Sequence, residues 1–135
     1  MIAPVTALYA GLLVLLLLAL AGRVSLLRSK LNIGLGHGND PALARAIRVH
    51  GNAVEWILPM LALFLVAEID GASRAFLHVC GALFVVSRIG HALALSRTSR
   101  ASSGRFWGIA GSWVVVLLLA LWDLGASFRA LPRVF

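Results

Sequence analysis

The polar residues with the most chemistry in this 135-residue chain lie between positions 45 and 59. Counted from Arg45, the residues Arg48, Asn52, Glu55 and Pro59 follow at offsets of 3, 7, 10 and 14. On a helix of about 3.6 residues per turn, that spacing places all five on one stripe. Proline has no N–H for the carbonyl four residues before it, so the carbonyl oxygen of Glu55 is left free. The spacing predicts a helix with one strongly polar side.

The composition indicates which kind of helix carries this stripe. The chain is 61% hydrophobic and only 13% charged, which leaves too few polar residues to cover a soluble domain. A helix needs about 20 mainly apolar residues to cross a membrane, and four stretches reach that length. We therefore predict an all-α integral membrane four-helix bundle, a single domain over residues 1–135, with helices at about 4–27, 41–67, 74–96 and 105–128.

The basic residues predict how the bundle is oriented. They surround the first and third connections: Arg23, Arg28, Lys30, Arg45 and Arg48, then Arg97, Arg100 and Arg105. Loops rich in Lys and Arg stay in the cytoplasm, so both termini should be non-cytoplasmic, although Arg129 and Arg133 argue mildly against this. The first helix should be retained rather than cleaved as a signal peptide, because no basic residue precedes Arg23. Topology accounts for the net charge of +7, and no nucleic-acid partner is predicted.

In that orientation, polar residues of three helices come to the same depth in the cytoplasmic half. They are Arg48, Asn52 and Glu55 of helix two, Arg88 and His91 of helix three, and Arg105 at the start of helix four. Charged groups inside a membrane face a cavity or each other. Three arginines outnumber the one glutamate, which favours a site for an anionic ligand over purely structural ion pairs.

The histidines do not predict a metal site. The chain has four, His37, His50, His78 and His91, and none belongs to a metal-binding motif such as HExxH. On helix two, His50 lies roughly opposite the polar stripe, so it is not expected to share the site.

Two stretches resemble a known family. The run RVHGNAVE at 48–55, preceded by IGLGHGND at 33–40, and the pair Arg88 and His91 in helix three resemble the MAPEG family, the membrane-associated proteins of eicosanoid and glutathione metabolism, in its short bacterial type. The resemblance covers essentially the whole chain. It implies a homotrimer in the bacterial inner membrane that binds glutathione between subunits, near the cytoplasmic side.

The resemblance also implies roles for single residues. Glutathione would be bound by Arg48, Asn52, Glu55 and His91, with Arg88 added by the spacing argument, and Arg105 would stabilise the thiolate. The tyrosines common in eicosanoid-processing members are missing, since the only tyrosine is Tyr9 on helix one. Prostaglandin or leukotriene synthesis is therefore not implied.

These features predict a glutathione-dependent membrane transferase or peroxidase that acts on a hydrophobic electrophile supplied from the lipid. The alternative is a non-catalytic membrane binder of a lipid or an anionic metabolite that uses the same basic pocket. A third hypothesis, a small multidrug transporter, ranks last. The membrane glutamate of such a transporter would be expected on helix one, whereas Glu55 lies on helix two.

Overall fold

A computed structural model of the chain describes residues 2–98 and 102–131. It has four α-helices within these ranges: α1 (Pro4–Leu31), α2 (Pro41–Ile69), α3 (Arg74–Arg97) and α4 (Ser103–Ala130). Each is long and apolar enough to cross a membrane. The predicted all-α membrane-spanning bundle is confirmed. The largest difference from the predicted bounds is in α1, which runs four residues further, to Leu31. Arg100 and Arg133, used above for orientation, lie outside the described residues.

Local capping fixes the connection between α1 and α2. Asn32 adopts a left-handed conformation after α1, and its N–H bonds to carbonyls of the last turn. The guanidinium of Arg28 donates to the carbonyl of Gly34 at 3.2 Å. At the start of α2, Asp40 accepts from the N–H of Leu43 at 2.7 Å, with Pro41 as the first helical residue. The connection therefore ends both helices at defined positions.

Contacts between the helices show that neighbours along the chain run antiparallel. Glu68 near the end of α2 accepts hydrogen bonds at the start of α1, from the N–H groups of Val5 at 2.9 Å and Thr6 at 2.6 Å. The start of α3 packs on the end of α4, where the rings of Phe76 and Trp122 lie 5.5 Å apart. Consequently the end of α1, the start of α2, the end of α3 and the start of α4 lie together, and we call this end of the bundle the basic end.

The apolar core holds the remaining length of the bundle together. Leu13 of α1, Ile57 and Phe64 of α2, Phe84 of α3 and Leu119 of α4 are all fully buried. Each such side chain contributes about 1.5–3 kcal/mol when it is removed from water, and in lipid its contribution comes from close packing instead. The core thus fixes the helix positions from which the polar residues project.

Two glycines allow α4 to approach α3 closely near the basic end. A Cβ atom at Gly108 would lie 2.7 Å from the Cβ and 2.9 Å from the Cα of His91, and one at Gly111 would meet the hydroxyl of Ser87. Small residues permit this kind of backbone approach between membrane helices. The position of His91 relative to α4 therefore depends on Gly108.

We expect Gly108→Ala to destabilise the protein by about 1–3 kcal/mol, because the added methyl group meets backbone that cannot move away. Gly90→Ala is the matched control: it lies in α3 with nothing within 4 Å of the added atom, so its effect should be neutral or stabilising by up to about 1 kcal/mol. Unfolding of the two purified variants in mixed micelles measures the difference. Equal stabilities would contradict the packing account.

Candidate functional site

A chain of hydrogen bonds links four of the predicted site residues. The Nη1 of Arg88 donates to the Oδ1 of Asn52 at 3.2 Å, across the α2–α3 contact. The Nδ2 of Asn52 lies 3.5 Å from the Oε2 of Glu55, and the Nη1 of Arg48 lies 3.2 Å from its Oε1. The stripe on α2 and the arginine on α3 are therefore brought together, as the spacing predicted.

The residues of this hydrogen-bonded series differ in how far they are buried. Arg88 is only 2% exposed, whereas the side chains of Arg48 and Glu55 are 65% and 52% exposed. The Nε and Nη2 atoms of Arg88 are buried, and no described residue gives them a hydrogen-bond partner. The hydrogen-bond acceptor of Arg88 among the described residues is the neutral amide oxygen of Asn52, so this bond does not balance its charge. A buried unsatisfied donor costs about 1–3 kcal/mol, and more when charged, so this guanidinium would gain from an anionic partner.

His91 connects α3 to the first turn of α4. It is 3% exposed, and its Nδ1 lies 3.2 Å from the backbone carbonyl oxygen of Arg105. A carbonyl oxygen only accepts hydrogen bonds, so Nδ1 carries the proton in this contact. His91 thereby positions the backbone from which the Arg105 side chain projects.

A cleft of about 330 Å³ opens at the basic end beside these residues. Three of the described residues that line it are arginines from α2 and α4, and the others are uncharged: Arg45, Arg48, Arg105, Pro41, Ala44 and Leu95. Its volume is at the lower end of the range of about 300–1,000 Å³ for small-molecule sites. Guanidinium groups pair well with carboxylates and phosphates, so the lining suits an anionic ligand.

The structure divides the predicted site into two layers. Arg48 and Arg105 line the cleft, while Asn52, Arg88 and His91 are buried. Glu55 is half-exposed and bonded to Arg48, and it is not among the described residues that line the cleft. Arg45 also lines the cleft, although the sequence analysis did not count it as a site residue. Its place on the polar stripe, three residues before Arg48, was the signal that could have identified it.

Tyr9 is the only tyrosine in the sequence, and its position differs from those of Leu95 and Trp56, two residues near the predicted site. Tyr9 is at the opposite end of the bundle, where its hydroxyl donates to the carbonyl of His78 at 3.0 Å. Leu95 lines the cleft, and Trp56, which follows Glu55, packs against Trp113 at 6.1 Å. The tyrosine hydroxyl is therefore remote from the cleft.

Comparison with known proteins identifies the family. The model of the MAPEG family matches residues 6–125 of the chain. The chain belongs to the MAPEG family. It is also similar to the inner membrane protein YecN of Escherichia coli strain K12, with 35% identity over 132 residues that cover 93% of this chain and 99% of the relative. The protein of the same name from E. coli O6:H1 matches equally well. The sequence resemblance is confirmed, and the protein is a membrane protein of the MAPEG family.

We expect Asn52→Ala to destabilise this MAPEG protein by about 1.5–3 kcal/mol, since it removes the hydrogen bond to a buried charge. Arg48→Ala breaks only an exposed ion pair, and its cost should be about 0–1 kcal/mol. Equilibrium unfolding of both variants in the same detergent gives the two values. A larger loss for Arg48→Ala than for Asn52→Ala would show that the buried bond is not the important one.

Proposed function

We propose that the protein is a glutathione-dependent transferase or peroxidase of the bacterial inner membrane, acting on a hydrophobic electrophile. The observation that carries the proposal is the cleft lined by Arg45, Arg48 and Arg105 with no acidic residue among its described lining residues. Arg88, which is buried and linked to Arg48 through Asn52 and Glu55, has two nitrogen atoms that no described residue partners. Membership in the MAPEG family supports glutathione as the cosubstrate, and the similarity to the inner membrane protein YecN supports the location.

The charges at the site fit the charges of glutathione. Its two carboxylates suit the guanidinium groups of Arg45 and Arg48, and its ammonium suits the carboxylate of Glu55. The existing pair between Arg48 and Glu55 is exposed, and such pairs contribute only about 0–1 kcal/mol. Exchanging that pair for ligand contacts therefore costs little. Arg48 and Glu55 are close together, so they can bind a neighbouring carboxylate and ammonium of one ligand.

The buried residues Arg88 and Asn52 also favour an anionic ligand. A neutral ligand would leave the charge of Arg88 without a counter-charge, whereas an anionic ligand in the adjacent cleft lowers the cost of burying it. Asn52 links Arg88 to Glu55, so ligand binding at Glu55 would be coupled to the buried guanidinium. We therefore propose that Arg88 and Asn52 stabilise the bound ligand indirectly, through Glu55.

Arg105 is the proposed catalytic residue. Glutathione supplies a thiol nucleophile when bound. A free thiol has a pKa of about 8.5, and a neighbouring cation favours the thiolate, which is the nucleophilic form. His91 fixes the backbone of Arg105 through the carbonyl contact, so we treat His91 as a positioning residue. In the transferase reaction, the sulfur forms a bond to the electrophilic carbon and the leaving group departs with the bonding electrons.

We further propose that the protein works as a homotrimer with both termini away from the cytoplasm. The cleft is open and the side chain of Arg48 is mostly exposed, which supports a site completed by a neighbouring subunit. The basic residues at one end of the bundle support placing that end in the cytoplasm. The mass of the cross-linked protein in native membranes tests the trimer, and a monomer would contradict it.

The second candidate function is a non-catalytic binder of a lipid or anionic metabolite at the same cleft. The observation that favours it is the remote position of Tyr9, because no tyrosine hydroxyl is then available to assist chemistry. The transporter reading is weaker, since Glu55 lies on α2 and is paired with Arg48.

We expect Arg105→Ala to abolish the ultraviolet absorbance of the glutathione thiolate in the presence of the purified protein, because the cation that favours the thiolate is removed. Arg97→Ala is the control, since Arg97 is exposed at the end of α3 and is not among the cleft-lining residues. The same Arg105 variant should lose about a hundredfold in kcat/KM, as removal of one charge-stabilising group typically does. A full thiolate signal in Arg105→Ala would remove this residue from the mechanism.

Conjugation of glutathione to a generic aryl halide separates the two candidate functions. The transferase proposal predicts product formation that depends on Arg105 and is unaffected by Arg97→Ala. Glutathione binding without conjugation of the aryl halide or reduction of a lipid hydroperoxide would support the non-catalytic binder. No binding of glutathione would contradict the transferase proposal itself.

A further inference from the structure

A second groove lies along α1, separate from the arginine-lined cleft. It has a volume of about 430 Å³. Its described lining residues are two cations and five apolar or small residues: Arg23, Lys30, Ala19, Gly22, Leu26, Leu27 and Ala42. None of these residues lines the cleft, so the groove is a distinct feature. We call it the α1 groove.

The α1 groove has Lys30 at the basic end, Arg23 seven residues deeper along α1, and small apolar residues beyond Arg23. Lys30 is one residue from the end of α1, and Ala42 is the second residue of α2, so this part lies at the basic end. Ala19 lies eleven residues earlier on α1, which corresponds to roughly 16 Å along the helix. An amphiphile with an anionic headgroup and an acyl chain has the same order of properties along its length.

Within residues 2–98 and 102–131, no carboxylate is paired with either cation of the groove. The Nη1 of Arg23 donates to the Oγ of Ser96 at 2.7 Å, and a hydroxyl is neutral. The next cation along α1, Arg28, is bonded to the carbonyls of Ile33 and Gly34, which are neutral as well. Arg23 and Lys30 thus lie in an interfacial region without an acidic partner among the described residues, and an anionic group placed between them would be stabilised by both charges.

The carboxylates of the chain do not fit as that partner. The sequence has five acidic residues, and only Asp40 and Glu55 lie towards the basic end. Asp40 caps α2, and Glu55 is paired with Arg48. A second copy of the chain, inserted in the same orientation, would bring these same two carboxylates: Asp40, which caps α2, and Glu55, which the proposed function assigns to the ammonium of glutathione. An anionic phospholipid supplies the charge without breaking either contact.

We propose that the α1 groove is a binding site for one anionic phospholipid, whose phosphate contacts Arg23 and Lys30 while an acyl chain packs along Ala19, Gly22 and Leu26. The lipid connects α1 to the start of α2 at Ala42 and so stabilises that helix pair. The groove shares no lining residue with the arginine-lined cleft of the same chain, so lipid binding can be measured in the absence of glutathione.

The test is lipid-dependent thermal stability of the purified protein in a neutral detergent, titrated with phosphatidylglycerol, with phosphatidylcholine and with inorganic phosphate. A ligand that binds only the folded state raises the melting temperature in a saturable way. We expect saturable stabilisation by phosphatidylglycerol alone. Removing each cation should weaken its apparent affinity about fivefold, and Arg23→Gln with Lys30→Gln together roughly thirtyfold.

Three further variants show whether lipid binding depends on the groove cations, on the hydrogen bond of Arg23 or on the shape of the groove. Ser96→Ala removes the hydrogen bond of Arg23 but keeps its charge, so it should retain the preference for phosphatidylglycerol. Arg97→Gln removes a cation of the same end outside the groove and should also retain it. Gly22→Phe, at a position with nothing within 4 Å of an added Cβ, should fill the groove and weaken lipid binding while both cations remain.

Several outcomes would overturn the proposal. Equal stabilisation by both phospholipids would show that the headgroup charge is not recognised. Equal stabilisation by inorganic phosphate would show that a free anion, not a lipid, is the ligand. A double-glutamine variant that keeps its lipid preference but loses its oligomeric mass would assign the groove to an interface between copies of the chain.

Discussion

The arrangement of the molecule depends on how a membrane protein with twelve basic and only five acidic residues distributes its charge. Arg88 is the extreme case, since it is almost completely buried and bonds to the amide oxygen of Asn52. Isolated charges are costly in such surroundings and persist where they serve a ligand or a partner. Arg88 is linked through Asn52 and Glu55 to Arg48 of the arginine-lined cleft, so the buried cation and the three cleft arginines form one region of excess positive charge.

The acidic residues explain why that excess arises at one end. Glu68 is used at the opposite end, where both of its oxygens accept backbone N–H groups at the start of α1. Asp70 and Asp123 also lie towards that end, in the turn after α2 and in the second half of α4. Little acidic charge is left for the basic end. Membrane orientation, the proposed glutathione site and the proposed lipid groove therefore have a common physical origin.

Hydrophobic runs and helical periodicity were sufficient to predict the four helices and the polar side of α2 from the sequence. Long apolar runs predicted the four helices, and offsets of three, four and seven residues predicted that Arg48, Asn52 and Glu55 share a side. The resemblance to the MAPEG family, carried by RVHGNAVE, was confirmed by the match over residues 6–125. These features depend on local spacing or local identity, which a single sequence contains.

The remaining features depend on contacts between helices, which periodicity does not determine. The close approach at Gly108 places His91 against the first turn of α4, and only then does its ring reach the carbonyl of Arg105. Likewise, Arg45 belongs to the cleft because α4 comes near the start of α2. Which neighbouring subunit group completes the proposed site is a property of an assembly of chains, and a spacing rule within one chain does not contain it.

The central claim is that the arginines bind the two carboxylates of glutathione. Calorimetric titration of the purified protein with glutathione, and with its diester in which both carboxylates are esterified, tests this most directly. Both ligands have the same thiol and ammonium, and they differ in the two negative charges that the arginines are proposed to bind. The account predicts saturable binding of glutathione and binding of the diester that is at least about a hundredfold weaker, at about 1.4 kcal/mol for each tenfold change. Equal affinity for the two ligands, or no heat of binding with glutathione, would contradict it.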